Sequence, residues 1–104
     1  DGHVVRVEHL DADKAEDVWQ YLNSAKNGTR VGEFAIGTNS AIQSLCGNLL
    51  QDEKYPGVHV AFGNPYPDLT GASWSSDVHV DVVPLDVDIV VDGEAIMEAG
   101  RFVI

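Results

Sequence analysis

The sequence predicts an α+β fold: a mostly antiparallel sheet with one main amphipathic helix and a short second helix, closing in a C-terminal β-meander. Three observations predict it. Residues 31–37, 57–63 and 77–83 alternate apolar with polar or small side chains at the two-residue period of a strand. Only Asp11 to Ala25 carries a clear helical period. Asp92-Gly93, between apolar runs, is a strong two-residue hairpin signal.

In chain order, His3 to His9 alternates valine with polar residues and reads as a strand. The helix follows, with Ala15, Val18, Trp19, Leu22 and Ala25 on one stripe that places Trp19 in the core. Asp13-Lys14-Ala15-Glu16 has the pattern of a capping box, and Asn27-Gly28 can end the helix with positive φ. In the strand that follows, Phe34 and Ile36 share one face and Val31, Glu33, Ala35 and Gly37 the other. A short helix near Ser40 to Cys46 carries Ile42 and Leu45, and a polar link containing Asp52-Glu53-Lys54 leads to the next strand. There Val58, Val60 and Phe62 are expected to face the core, with His59, Ala61 and Gly63 opposite. Asn64 to Ser76 holds two prolines, Gly71 and three serines, which suit no regular element and make a long, functional type of loop. The next strand sets Val78, Val80 and Val82 against Asp77, His79 and Asp81. Val87, Ile89 and Val91, the Asp92-Gly93 turn and a return at Arg101 to Ile104 complete the meander.

The bulk properties narrow the function. At 104 residues the chain makes a single domain, with one modest core. Met97 is the only methionine, so the chain reads as part of a longer protein. Seventeen acidic against six basic residues give a formal charge of −11, which argues against nucleic acid or an anionic membrane as a partner and suits cations. One cysteine, Cys46, excludes an internal disulfide and points to a reducing, cytoplasmic setting. As a small hydrophobe at the end of the short helix, it is expected to be buried. No apolar run reaches the length of a membrane span.

The chemistry lies on the strands. Glu33, His59, His79 and Asp81 are ligand-type side chains, Glu33 and His59 beside small residues that leave room, as a metal site requires. Mixed nitrogen and oxygen donors suit zinc, cobalt, manganese or ferrous iron. Taken singly, each element is weak: a His-x-Asp pair on a strand of an acidic protein is usually a solvent-facing pattern. His3 and His9 read as surface histidines.

The order of motifs is more specific. Residues 32–39 (GEFAIGTN), 47–54 (GNLLQDEK) and 57–63 (GVHVAFG), then Tyr66 and His79-Val80-Asp81, resemble the C-terminal part of the thermophilic metallo-aminopeptidase family, the aminopeptidase T group. The resemblance runs from about Val31 to the end, and the first thirty residues fit more loosely. It implies a pair of divalent ions, zinc, cobalt or manganese, with Glu33, His59, His79 and Asp81 in ligand positions and Glu33 bridging or flanking the metals. It implies that Tyr66 binds the anionic tetrahedral intermediate, a role a phenol can perform. Its substrate is a peptide, hydrolysed at the N-terminal bond, and its assembly a homodimer.

Two departures stand out. The family draws a further glutamate from an upstream Gly-Glu motif that nothing in Asp1 to Arg30 reproduces. Trp74 stands where the family has asparagine, which would reshape the substrate pocket. The expectation is a C-terminal metal-site domain that binds metal weakly by itself and turns over little peptide. Two other readings compete. Relatives of the family cleave dihydroxypyridine rings with one Fe(II) held by two histidines and a carboxylate, for which His59, His79 and Asp81 would serve. A noncatalytic binding or assembly module is the third.

Overall fold

Asp11 starts the first helix: its carboxylate accepts hydrogen bonds from the amides of Asp13 (3.0 Å) and Lys14 (3.3 Å), which lack partners inside the first turn. In the computed structural model, which describes residues 1–104, this helix α1 spans Ala12–Leu22. The cap is therefore Asp11, ahead of the expected capping box. Asn23 closes the helix, its side-chain amide donating to the Trp19 carbonyl at 2.8 Å. The remaining elements are β1 (Val31–Gly37), α2 (Leu49–Asp52), β2 (Gly57–Gly63), α3 (Pro67–Thr70), β3 (His79–Val82), β4 (Ile89–Val91), β5 (Glu94–Glu98) and β6 (Arg101–Phe102). They form two three-stranded sheets, ordered β1-β2-β3 and β4-β5-β6. The α+β class and the C-terminal meander are as the sequence predicts.

The chain divides into two compact units, one of Asp1–Glu33 with Val60–Asp81 and one of Phe34–His59 with Val82–Ile104. In the first, the buried apolar residues are Leu22, Ala61 and Val78. Of the expected helical stripe only Leu22 is fully buried; Trp19 is half-buried and Val18 is exposed. Asn27 takes φ 62°, and Gly28 folds back so closely that a Cβ there would stand 1.9 Å from the Leu22 carbonyl oxygen. The amide of Gly63 donates to the Arg30 carbonyl (2.7 Å) and that of Asn64 to the Val78 carbonyl (2.6 Å). Residues 3–9 do not form the expected strand. Only His3 pairs, in an isolated antiparallel bridge with Arg30.

In the second unit Ile89 and Met97 form the apolar core. β4 and β5 pair antiparallel through the Asp92-Gly93 turn, with φ of 51° and 84°. β5 and β6 pair through Ala99-Gly100, at 46° and 77°. The expected helix at 40–46 is absent. Asn39 instead draws the Ala41 amide onto its side chain at 3.1 Å, and helix formation starts at Asn48, whose side chain accepts from Leu50 at 3.0 Å. Cys46 is exposed, contrary to expectation.

β2 keeps the expected period and buries the unexpected face. Ala61 is fully buried and His59 is 6 % exposed, whereas Val58, Val60 and Phe62 are half-buried and Phe34 is 65 % exposed. On β2 the ligand-type His59 thus shares the inward face with the small residues.

Candidate metal centre

β1 supplies Glu33, and β3 supplies His79 and Asp81, two residues apart and hence on one face of the strand. One ligand atom from each of the three lies within 4.8 Å of the others, and all three side chains are half-buried. β2 runs between β1 and β3, so their backbones stand about 9–10 Å apart. Glu33 reaches His79 and Asp81 across the middle strand, which carries the small residues Ala61 and Gly63.

His79 is oriented from behind. Its Nδ1 lies 3.0 Å from the Asn64 carbonyl oxygen, which can only accept, so Nδ1 carries the hydrogen. Nε2 of that ring lies 3.2 Å from Asp81 Oδ2, with the two side chains 22 % and 11 % exposed, and in the neutral form it carries a lone pair. Two lone pairs facing at that distance repel unless something positive lies between or beside them, either a proton or a metal cation. Two donors on a tetrahedral ion at about 2.0–2.1 Å stand about 3.3 Å apart, so the pair is spaced as ligands of one ion. Glu33 adds a second carboxylate, and the hydrogen bond from Nδ1 to a carbonyl is the outer support metal-ligating histidines usually have. The donor set fits a borderline or hard divalent cation.

Tyr66 lies against this centre. Its ring centroid is 5.0 Å from that of His79, with the planes tilted by 53°. It takes φ 51°, ψ 67°, in the left-handed region, and opens α3, a short helix inside the loop expected to be irregular. His59 lies in the part of β2 that belongs to the second unit. His3 and His9 do structural work in exposed positions: His3 Nδ1 is 3.2 Å from the Thr29 hydroxyl, and His9 Nδ1 accepts from the Asp11 amide at 2.9 Å. The Arg30 guanidinium stacks 4.2 Å above the centre of the Trp74 ring, and Asn27 donates to the Ser75 carbonyl at 3.1 Å. The loop before β3 is therefore tied to the exit of α1.

A family model described as thermophilic metalloprotease (M29) matches residues 1–102. The chain belongs to that family. No curated protein and no solved structure matches it. Membership in the M29 family makes a metallopeptidase function and a divalent metal its coarse assignment, consistent with the donor cluster. No helix of this family member is long and apolar enough to cross a membrane.

The residue that sequence reasoning passes over is Asn64, which contacts both His79 and Tyr66. Its signal is the Asn-Pro pair directly after the His59 strand, a turn-initiating dipeptide placed just before Tyr66.

Proposed function

We propose that this chain carries the metal site of an aminopeptidase that hydrolyses the N-terminal bond of peptides. The observation that supports it is the half-buried cluster of Glu33, His79 and Asp81, with Tyr66 packed on the histidine. Glu33, His79 and Asp81 would hold divalent zinc, cobalt or manganese as part of a two-ion centre. Such ions polarise a scissile carbonyl and lower the pKa of water toward about 7. Asp81 and the oriented Nε2 of His79 would hold the positive charge. Glu33, the second carboxylate of the cluster, would take the proton of the attacking water and return it to the leaving amine. Tyr66 donates its phenolic hydrogen to the oxyanion of the tetrahedral intermediate.

Glu33 is a donor that a set of two histidines and one carboxylate does not use, which favours hydrolysis over ring cleavage by iron. The same reading takes a free peptide amine as the recognised end of the substrate, a homodimer as the assembly and a reducing cytoplasm as the setting, in keeping with the single cysteine. A further glutamate from elsewhere in the assembled enzyme would complete the centre, so the 104 residues alone should turn over little peptide.

Calorimetric titration with zinc and cobalt tests the site. Wild type should bind, and Asp81→Asn and Glu33→Gln should each weaken binding by about 10-fold or more. Pairing a free with an N-acetylated peptide in the full-length enzyme tests the reaction. Equal cleavage of the two, or metal affinity indifferent to both substitutions, would sink the proposal.

A further inference from the structure

Tyr66 is held in a backbone conformation that a bulky side chain avoids, and such outliers persist only where their surroundings over-determine them. The determinants are visible on both sides. Ahead of it, the Asn64 side-chain oxygen accepts a hydrogen bond from the Tyr66 amide at 3.2 Å, while the Asn64 amide is fixed to the Val78 carbonyl. Behind it, the Tyr66 carbonyl accepts from the amides of Leu69 (2.9 Å) and Thr70 (3.0 Å), and the Thr70 hydroxyl lies 2.9 Å from the Pro65 carbonyl oxygen. The Asn64 carbonyl oxygen, in turn, takes the Nδ1 hydrogen of His79. One residue therefore grips both partners of the Tyr66–His79 ring contact, the histidine by its main chain and the tyrosine by its side chain.

We infer that Asn64 is the positioning residue that locks the Tyr66 phenol against His79. The division between main chain and side chain separates its two tasks. Removing the side chain releases Tyr66 from its turn and leaves the carbonyl on His79 in place, so Tyr66 loses its orientation while the metal ligand keeps its tautomer. The kinetic consequence rests on the aminopeptidase reading; the placement of the ring does not.

The test uses the full-length enzyme with Asn64→Ala, Asn64→Asp, Asn64→Ser and Tyr66→Leu. The imidazole proton shifts of His79, set in part by the current of the Tyr66 ring 5.0 Å away, are read by NMR without metal. Asn64→Ala should move them to the values of Tyr66→Leu. Asn64→Asp, whose carboxylate accepts the same hydrogen bond, should restore them, and Asn64→Ser should fall between. Zinc affinity should be unchanged in Asn64→Ala, and kcat should fall about 10–100-fold at constant KM, as expected when a catalytic group is misplaced by an ångström. If Asn64→Ala does not fold, Asn64→Ser against Asn64→Asp gives the same comparison. Wild-type shifts in the variant lacking the side-chain acceptor, or no rescue by aspartate in a folded protein, would overturn the assignment. A wild-type enzyme without peptidase activity would defeat the functional reading, and the NMR comparison alone would then decide the role of Asn64.

Discussion

Gly63→Ala tests how the strands around the candidate metal centre are joined. Gly63 has φ 96°, where an L side chain costs about 1–2 kcal/mol. A Cβ there would also stand 2.0 Å from the Val78 carbonyl oxygen and 2.6 Å from its carbon, against 3.4 Å for ordinary contact. Both obstacles are backbone atoms, so β2 and the start of β3 must part by more than an ångström. The hydrogen bond from Asn64 to that same carbonyl, 2.6 Å long, cannot survive the movement. Losing it and leaving the Val78 carbonyl without its partner costs a further ~1–3 kcal/mol. The expected loss is therefore about 2–5 kcal/mol, a large share of the stability of a small domain.

Gly71→Ala supplies the control. Gly71 has a similar φ of 75°, and a Cβ added there would meet nothing within 4 Å, so it should lose only the backbone part, about 1–2 kcal/mol. Urea unfolding of the two variants and wild type, with slopes compared to confirm a common unfolded state, reads the difference. Because Asn64 carries the carbonyl that orients His79, Gly63→Ala should also weaken zinc binding, and Gly71→Ala should not. A Gly63→Ala protein as stable as Gly71→Ala would refute the argument from close approach.

Asp52 accepts hydrogen bonds from the amides of Cys46 and Gly47, both at 2.9 Å. The Cys46 bond is the main reason its carboxyl titrates below the ordinary value of 3.8, with burial opposing and Gly47 assisting. A depressed folded pKa stabilises the fold above the unfolded pKa, and that contribution is lost as pH falls through the folded value. Asp52→Asn should therefore be less stable at neutral pH, and urea midpoints should converge with wild type below pH ~4; a constant gap would contradict this. Asp11→Ala should destabilise by about 0.5–2 kcal/mol through the lost cap, measured by thermal unfolding. Met97→Ala, at a position with no solvent exposure, should cost about 2–5 kcal/mol by urea unfolding, and a loss under about 1 kcal/mol would show that this core collapses around the gap.

The strands, the meander and three of the proposed donors are legible in the sequence because each rests on local chemistry. Period two places His79 and Asp81 together, and Asp92-Gly93 supplies the left-handed residues its turn needs. Which face turns inward is not legible. Alternation distinguishes two sides of a strand without saying what covers each, and Val58, Val60 and Phe62 point to the wrong interior, although Val78 is buried as expected. Here the inward side is the one carrying Ala61 and His59, and Phe34 is left at 65 % exposure. The short helices escape sequence reading for another reason. Ile42 and Leu45 have helical spacing, but the side chains of Asn39 and Asn48 compete for nearby amides and decide where the turns begin. Asn64 stays hidden because its importance lies in contacts to His79 and to a strained neighbour, which only the assembled chain displays.

Glu33 belongs to an early strand and His79 and Asp81 to a late one, so the full cluster has no counterpart in the denatured polypeptide. Any cation that it captures is thereby a folding ligand. Saturation at about 100 times its dissociation constant would add about 2.7 kcal/mol to the free energy of unfolding, so chelation should lower the melting temperature of a metal-loaded molecule.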